Sequence, residues 1–575
     1  MKKLISLVLA LAMIMMIGAV YAEGPVNNLT ADTTISVTNL DEGDIVALYQ
    51  IIERDATDGY WKPATGYSEL TQADVDKIVG QNHETGAAIT EDAGWNDTYI
   101  NKVITGTLPA PVDLAPADEN VTTATVGSSG TFTFNVEPGM YYVLVTPKDG
   151  TKIYKPMFVS ADYSQSETSQ TTTVAAKYET ITIDKHATAQ ENDHDEGTNY
   201  GTNTDANSYN TVNIGDIVDF EIKTTIPKFP ASFTEPIFNV ADTLTGMELV
   251  EGSIQVYAGD SKLINNEYTL ASDPAPADFV VEFDSEYIKD LSNSQAITVK
   301  YKAKVDNSAA LDINMKENTA EVRFSNNPGD KLGANKLVDE TRHYTFSING
   351  LVTASGNDRR TDLIKVGVDA DGNEIMQLVE LYNEHWAGVL QGAEFTLWGD
   401  EKKTNAVRTG LTSDEKGQIV INGLDAGTYW IEETKAPAGY IRNTSLTEVN
   451  IIPVFEKQTV AAHPETINGI TVTVPAYSYA VLKSYEIKIG EATTSTYTID
   501  NEKAEGVIDA ADDDQIGAGS SSTTPGTDFV GKIKNPKGTE LPSTGGIGTT
   551  IFYILGGLLV IGAAVILIAR RKAQD

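Results

Sequence analysis

Short runs of Val, Ile, Thr, Tyr and Phe, often alternating with polar residues, recur through the middle of the chain. Gly, Pro, Asn and Asp bound these runs, as is typical of half-buried β-strands. Helical periodicity is scarce, and residues 68–80 give the best single example. The pattern predicts an all-β protein built from sandwich domains in series. Clear strand predictions fall at residues 131–136, 141–145, 181–183, 217–222 and 296–301.

Composition shifts divide the middle of the chain. A Ser/Thr/Gln-rich stretch at 162–173 precedes a new strand at 179–184, and residues 326–340 are rich in turn formers. Residues 353–361 are polar, and residues 517–527 consist of Gly, Ala, Ser, Thr and Pro, as in a flexible loop or linker. The predicted β-rich domains are therefore 23–178, 179–345 and 346–538.

The charge and the cysteine count exclude several kinds of protein. The 575 residues carry a formal net charge of −39 and contain no cysteine. A surplus of acidic residues argues against nucleic-acid binding, because phosphate groups need clustered Lys and Arg. The absence of cysteine excludes disulfides, thiolate metal sites and cysteine nucleophiles.

The N-terminus has the layout of a secretory signal peptide. Lys2 and Lys3 give a positive start, an uncharged apolar run covers residues 4–20, and small residues precede a cleavage position after Ala22. We expect residues 1–22 to form a signal helix that is removed. An N-terminal membrane anchor is the alternative reading.

The C-terminus combines a short motif, an apolar run and a basic tail. The run at 547–569 is long enough to span a bilayer, and Arg570, Arg571 and Lys572 follow it. These features alone would indicate an ordinary membrane anchor. The motif in front of the run consists of Leu541, Pro542, Ser543, Thr544 and Gly545.

Motif, span and tail in this order resemble the cell-wall sorting signal of Gram-positive surface proteins. The resemblance implies that a sortase cuts between Thr544 and Gly545 and passes the Thr carbonyl to an amine. It also implies that segment 539–575 holds the chain in the membrane only until it is sorted to the cell wall.

Familiar catalytic and metal-binding signatures are missing or weak. The sequence has no HExxH, GxSxG, P-loop or Gly-rich dinucleotide turn. His194 lies among acidic residues, which is more typical of a solvated polar loop than of a metal site. A DxSxS match at 162–166 lacks the fold that would use it, and residues 369–372 fit a β-turn better than a calcium loop. No metal and no cofactor is therefore predicted.

Residues 429–440 match every fixed position of the pattern YxIxETxAPxGY. This pattern resembles the E-box of collagen-adhesin B-type domains, which are prealbumin-like domains of Gram-positive pilins. The resemblance implies immunoglobulin-like sandwiches in which a Lys on the first strand bonds to an Asn on the last strand. A buried Glu promotes this isopeptide bond, and it corresponds to Glu433 here.

The partners of Glu433 are assigned from the predicted strands. Lys365 is the candidate amine on the first strand, and either Asn535 or Asn501 is the candidate amide on the last. We favour Asn535, because a bond to Asn501 would leave residues 517–526 under tension when the chain is pulled.

The chemistry requires burial. An amine attacks only when neutral, and burial lowers its pKa, whereas burial raises the pKa of a carboxyl and keeps it protonated. Such a carboxyl can bind the amide and move protons, and folding supplies the orientation. A buried Lys–Glu ion pair that does not react is the alternative.

The central segment resembles a second pilin domain type that forms the same bond. It opens with Lys185 in the run 181–185, contains Asp242, and closes with Asn318. The resemblance implies that these residues serve as amine, acid and amide. An ordinary turn Asp and a strand-edge Asn are the alternative.

Pilus shafts also use a linking lysine. Lys177 precedes the second domain and resembles the family's pilin motif, although no Pro or Asn flanks it. Lys148 matches the local letters better but lies within the first domain's strands.

Taken together, these features predict a structural subunit of a sortase-assembled pilus, secreted and anchored to a Gram-positive cell wall. The chain would be a substrate of a pilin-specific and a housekeeping sortase and not an enzyme, apart from forming its own isopeptide bonds. Its partners would be identical subunits and peptidoglycan, with minor or tip pilins left open. A monomeric wall-anchored adhesin is the main alternative, and a surface hydrolase is disfavoured.

Overall fold

The computed structural model describes most of the chain between residues 33 and 572. The described residues are 33–55, 59–106, 124–148, 150–161, 170–194, 208–264, 266–272, 276–306, 313–328, 330–350, 362–375, 377–378, 386–467, 469–490, 492–498, 531–538 and 547–572. The predicted signal peptide at 1–22, Asn501 and the motif at 541–545 lie outside them.

The described part of the N-terminal region has two main β-sheets and two short helices, and its strand Lys152–Tyr154 pairs separately with Tyr178–Thr180. One sheet has the order β5-β1-β9, with β1 and β9 parallel, and the other has the order β3-β2-β6-β8, with β4 beside β2. Helix α1 confirms the predicted helical segment: Thr71 caps its start, and Gly80 ends it with a φ of 78°. The elements are β1 (Thr33–Thr38), β2 (Ile45–Arg54), β3 (Trp61–Pro63), α1 (Gln72–Val79), α2 (Asp97–Thr105), β4 (Ala124–Thr125), β5 (Thr131–Val136), β6 (Gly139–Thr146), β7 (Lys152–Tyr154), β8 (Met157–Ala161) and β9 (Gln170–Ala175).

The central region is a sandwich of two sheets around an aromatic core. Phe220, Phe238, Phe279, Tyr301 and Phe324 are buried between the sheets. The elements are β10 (Tyr178–Thr180), β11 (Ile183–Gln190), a 3-10 turn (Ser208–Asn210), β12 (Ile217–Ile226), β13 (Phe238–Thr245), β14 (Met247–Leu249), β15 (Gln255–Ala258), β16 (Ser261–Lys262), β17 (Tyr268–Ser272), β18 (Phe279–Phe283), α3 (Ser285–Asp290), β19 (Gln295–Val305), β20 (Ile313–Phe324) and β21 (Asn335–Ile348). The sheets run β11-β12-β19-β15-β16, with β14 beside β19, and β17-β18-β13-β20-β21.

The C-terminal region is a second sandwich. Its large sheet has the order β26-β25-β28-β29-β32-β33, and β22 pairs in parallel with β34. The elements are β22 (Leu363–Val368), β23 (Gln377–Leu378), β24 (Trp386–Ala387), β25 (Glu394–Trp398), β26 (Ala406–Thr412), β27 (Ile421–Leu424), β28 (Gly427–Lys435), β29 (Thr447–Val460), β30 (His463–Ile467), β31 (Ile470–Val474), β32 (Tyr477–Ile489), β33 (Ala492–Thr498) and β34 (Gly531–Pro536).

Strand β21 belongs to both sandwiches. It pairs with β20 of the central region, from Asn335 opposite Phe324 to Phe346 opposite Ile313. At its C-terminal end it also pairs with β27, and Phe346 and Ile348 are buried in the core of the C-terminal region. The predicted domain boundary at 345/346 therefore falls inside a strand. Residues 326–340 were expected to form a turn-rich boundary. Residues 335–340 are instead part of β21, because they pair along β20.

The C-terminal helix α4 (Ile547–Lys572) follows the predicted motif. Its segment Tyr553–Lys572 is long and apolar enough to cross a membrane, and the described side chains of the apolar part are exposed. The basic cluster lies in its last turn.

We expect Phe346→Ala to destabilise the central and the C-terminal regions together. Phe346 is fully buried, with its ring centroid 5.2 Å from that of Tyr485, and the strand that carries it completes both sandwiches. Truncation of such a core ring costs about 3–5 kcal/mol. Calorimetry should show one lowered transition for both regions. The matched variant Phe134→Ala, in the N-terminal core, should lower a separate transition. A drop confined to one sandwich in Phe346→Ala would contradict the shared strand's role.

Candidate functional site

Three of the predicted site residues meet in the core of the C-terminal region. Lys365 on β22 and Asn535 on β34 lie on neighbouring parallel strands, and Glu433 reaches them from β28. The amine Nζ of Lys365 donates to Asn535 Oδ1 at 2.5 Å, and Asn535 Nδ2 donates to Glu433 Oε1 at 2.7 Å. Lys365 Nζ and Glu433 Oε1 are 3.7 Å apart. The structure thus brings the predicted amine, acid and amide into one buried cluster.

Burial and fixed contacts set the chemistry of this cluster. Lys365 and Asn535 are fully buried and Glu433 is 1% exposed. Burial lowers the pKa of Lys365 to about 8, although the nearby Glu433 opposes the shift. The second oxygen of Glu433 accepts the backbone N–H of Asn443 at 2.7 Å, which holds the carboxyl towards the amide. A neutral amine is therefore accessible beside an oriented carboxamide.

The E-box also covers the strand that carries the lysine. Gly367 follows Lys365 by two residues, and a Cβ at this position would lie 2.7 Å from the ring of Tyr440. Tyr440 is the last residue of the E-box. Only glycine leaves room for this close contact, so the motif closes over β22 as well as supplying the acid.

A second cluster lies between the two sheets of the central region. Lys185 on β11 donates from Nζ to Asp242 Oδ2 on β13, and also to the hydroxyl of Tyr301 at 2.5 Å. The same hydroxyl accepts a hydrogen bond from Asn318 Nδ2 on β20 at 2.8 Å. The side chains of Lys185 and Asp242 are fully buried. The structure thus joins all three predicted residues through Tyr301.

Ionisation in the central cluster is shifted towards neutral groups. Burial lowers the pKa of Lys185, and the charge of Asp242 opposes this. Burial raises the pKa of Asp242 to about 6, against the opposing effect of Lys185. Asp242 Oδ1 and Asn318 Oδ1 are both buried without a hydrogen-bond partner among the described residues. A proton on Asp242 would turn one of its carboxyl oxygens from a hydrogen-bond acceptor into a donor. A neutral Asp242 therefore suits this site better than a carboxylate, since buried polar atoms rarely stay unsatisfied.

Sequence reasoning missed Tyr301. It lies in the predicted strand 296–301, where the alternating pattern indicates only an inward-facing core residue. The signal that was available is chemical, because a buried tyrosine hydroxyl needs a hydrogen-bonding partner.

The two candidate linking lysines lie on the surface of the N-terminal region. Lys177 is exposed between β9 and β10, and its backbone carbonyl accepts the N–H of Lys155 at 2.7 Å. Lys148 is also exposed, and its backbone N–H donates to Asp44 at 3.0 Å. The acceptor role of either amine stays a prediction.

The weaker metal candidates have ordinary structural roles. Asp369 Oδ1 accepts the N–H groups of Asp371 and Asn373, both at 2.9 Å, which confirms a turn. We expected His194 to lie in a solvated loop, and this was wrong. The residue is half-buried, with its ring centroid 4.5 Å from that of Tyr429. Within the described part of the chain no cluster of three metal-binding side chains occurs, and the DxSxS match at 162–166 lies outside it.

Comparisons with known proteins bear on the whole chain. A prealbumin-like fold domain of the SpaA family matches residues 383–463, and an LPXTG cell wall anchor motif matches residues 533–575. The trypsin-resistant surface T6 protein of Streptococcus pyogenes serotype M6 is 23% identical, over 95% of this chain and 97% of its own length. The chain is therefore similar in sequence to a streptococcal surface protein along nearly its whole length.

The solved structure of one pilin confirms the fold. The T6 backbone pilin of S. pyogenes serotype M6 matches with a TM-score of 0.53 and 17% identity, covering 89% of this chain and all of the pilin chain. The major pilin SpaD of Corynebacterium diphtheriae matches with a TM-score of 0.42 and 18% identity, covering 73% and 91%. The predicted class of tandem β-domains with a C-terminal apolar helix is confirmed.

The anchor motif confirms the predicted location at the cell-wall surface, and the C-terminal helix fits a transient stage in the membrane. Neither the matched domains nor these relatives indicate a catalytic family.

A buried carboxylate lies where the two sandwiches meet. Asp425 in the C-terminal region accepts a hydrogen bond from Gln190 Nε2 at 2.8 Å, and its backbone N–H donates to Asn213 Oδ1 at 3.1 Å. Burial raises the pKa of Asp425 to about 7, and the charge of Asp193 adds to the shift. Nearby Asp216 has its pKa raised to about 6, again mainly by burial.

The free energy of unfolding should fall as the pH rises from about 4 to about 7. In this window folded Asp425 keeps a proton that the unfolded chain has released, so stability is lost as the pH rises through the folded pKa. Each such group contributes a slope of about 1.4 kcal/mol per pH unit. Thermal unfolding between about pH 4 and about pH 7 measures this slope. Asp425→Asn should reduce it, whereas the exposed control Asp371→Asn should not, and an unchanged slope in Asp425→Asn would contradict the assignment.

Proposed function

We propose that the chain is the shaft subunit of a sortase-assembled pilus, covalently polymerised and finally attached to the Gram-positive cell wall. The observation that carries the proposal is the buried contact of Lys365, Glu433 and Asn535 between the first and last strands of the C-terminal sandwich. The central cluster of Lys185, Asp242 and Asn318 likewise combines a lysine, an acidic residue and an asparagine. The anchor motif and the pilin-like sequence and fold support the same function.

Each cluster would form one isopeptide bond. The neutral amine of the lysine attacks the carboxamide carbon of the asparagine, the new C–N bond forms, and the old C–N bond breaks. In the C-terminal cluster the carboxyl of Glu433 takes the surplus proton of the attacking nitrogen and gives one to the leaving nitrogen, which departs as ammonia. The acid ends as it began, so the chain alters itself once and is not a turnover enzyme.

Such bonds would stabilise the shaft. The lysine and the asparagine of the C-terminal site are separated by 170 residues. By the entropic account used for disulfides, closing a loop of this length destabilises the unfolded chain by about 4–5 kcal/mol.

Intact-mass measurement of the purified ectodomain tests the bonds. We expect the wild-type chain to weigh less than its sequence by two molecules of ammonia, one for each site. Lys365→Ala and Lys185→Ala should each restore one of them, and Glu433→Ala should block the C-terminal bond because the amide loses its acid. Peptide mapping should identify the Lys365–Asn535 and Lys185–Asn318 pairs. A wild-type mass equal to the sequence mass would refute both bonds.

Polymerisation would join Thr544 of one subunit to Lys177 of the next. A pilin-specific sortase would make this bond, and a housekeeping sortase would transfer the finished polymer to peptidoglycan. Lys177 is suited to this role because its side chain is exposed at the junction of the N-terminal and central regions.

Lys177→Ala should abolish the high-mass ladder that a covalent polymer gives on denaturing gels of cell-wall extracts. The matched variant Lys148→Ala removes the other exposed candidate and should leave the ladder intact. If Lys148→Ala removed the ladder and Lys177→Ala did not, the assignment of Lys177 as the linking lysine would be wrong. If wild-type cells gave no ladder, the monomeric adhesin would be the better reading.

A further inference from the structure

The hydroxyl of Tyr301 contacts both nitrogens that would react in the central cluster. It accepts hydrogen bonds from Lys185 Nζ at 2.5 Å and from Asn318 Nδ2 at 2.8 Å. We propose that Tyr301 is a catalytic residue of the central crosslink and carries a proton from the amine of Lys185 to the leaving nitrogen of Asn318. This inference rests on the proposed isopeptide bond between those two residues.

The reaction requires one proton to move between the two nitrogens. A neutral lysine amine has two hydrogens, and the amide product keeps one of them. The other must reach Asn318 Nδ2, because that nitrogen leaves as ammonia and not as its anion. When the amide carbon becomes tetrahedral, Nδ2 regains a lone pair and can accept the hydroxyl hydrogen of Tyr301. The hydroxyl takes the surplus hydrogen of Nζ in return and ends unchanged.

Comparison with the C-terminal cluster shows that Tyr301 makes a contact that the acid makes there. There the acid itself contacts the leaving nitrogen, since Asn535 Nδ2 donates to Glu433 Oε1 at 2.7 Å, and the amine lies 3.7 Å from the same oxygen. In the central cluster the acid Asp242 contacts the amine through Oδ2, while its Oδ1 has no partner among the described residues. The contact to the leaving nitrogen is made by Tyr301 instead. The two sites therefore use different groups to protonate the departing nitrogen.

The surroundings keep Tyr301 fixed and neutral. It is 2% exposed, its ring stacks on Phe220 with centroids 5.4 Å apart, and it meets Phe279 edge-on at 5.0 Å. Burial raises the pKa of its phenol well above the ordinary value, with the charge of Asp242 adding to the shift. The hydroxyl therefore keeps its hydrogen until the leaving nitrogen can accept it.

Tyr301→Phe in the full ectodomain tests the proposal, because it removes only the hydroxyl and keeps the ring. General acid–base groups contribute about 100-fold or more to rate, so we expect the Lys185–Asn318 bond to form at least about 100 times more slowly. Purified Tyr301→Phe should contain unreacted Lys185 and Asn318, and the missing ammonia should be lost slowly during incubation. The Lys365–Asn535 bond in the same molecule is the internal control. Tyr287→Phe, half-buried in the same region, is the matched variant and should be fully reacted.

The outcomes separate this inference from the proposed function. A wild-type chain without the Lys185–Asn318 bond would refute the central crosslink itself. A wild-type chain with the bond, and a Tyr301→Phe chain equally complete and equally fast, would overturn only the role of Tyr301.

A second variant covers failure of Tyr301→Phe to fold, as judged by faster digestion with trypsin than the wild type and by an unformed Lys365–Asn535 bond. Replacing Tyr301 by 3-fluorotyrosine through stop-codon suppression keeps the ring and the hydroxyl but makes the phenol a stronger acid. The rate of bond formation in pulse-labelled chains should then change by about threefold or more, since proton transfer follows acid strength. An unchanged rate would overturn the proposal.

Discussion

The structure depends on the cost of holding a lysine amine away from water. A buried ammonium beside a carboxylate loses much of its hydration, and the attraction between the two charges often fails to offset that loss. Lys365 and Lys185 are both fully buried, and burial lowers the pKa of each. Conversion of the amine to an amide would remove the buried ammonium. The same desolvation that makes the unreacted cluster costly thus makes the amine reactive.

Strand β21 determines how force would pass between the two sandwiches. Gly150 of the N-terminal region lies against Lys336 near the start of β21, and the end of β21 pairs with β27 of the C-terminal region. If the crosslink at Asn318 holds β20 from one side, tension on β21 slides the two strands past each other. Ladder hydrogen bonds lie across the strands, so sliding loads several of them together. The paired residues from Asn318 opposite Thr341 to Phe324 opposite Asn335 would carry this load. The segment between the two crosslinks, which has no covalent bypass, is therefore supported by a shared sheet.

The sequence was sufficient to locate the candidate residues that lie in local motifs. The E-box contains Glu433, and the apolar, β-branched run around Lys365 indicates a buried strand with one charged residue in it.

Contacts between distant segments could not be predicted in this way. Strand β21 is 14 residues long and is held by pairing with β20 and β27, which are distant or separate elements. The turn-forming residues just before it led the sequence analysis to treat its first part as a turn-rich boundary. The contacts of Tyr301 with Lys185 and Asn318 likewise arise only when the two sheets of the central sandwich close. His194 is polar in sequence but meets Tyr429 across an interface that no local pattern reports.

The two clusters would resist deformation in different ways because their strands are arranged differently. Lys365 and Asn535 lie on adjacent parallel strands, and the ends of the domain pull these strands in opposite directions, so their bond would prevent sliding within one layer. Lys185 lies in one sheet of the central sandwich, whereas Asn318 lies in the other, so their bond would prevent the layers from separating. The chemistry follows the same division. Within one layer the acid can approach from the facing sheet and contact both reacting groups, as Glu433 does. Across two layers Asp242 contacts the amine, and the tyrosine between the sheets completes the connection to the amide.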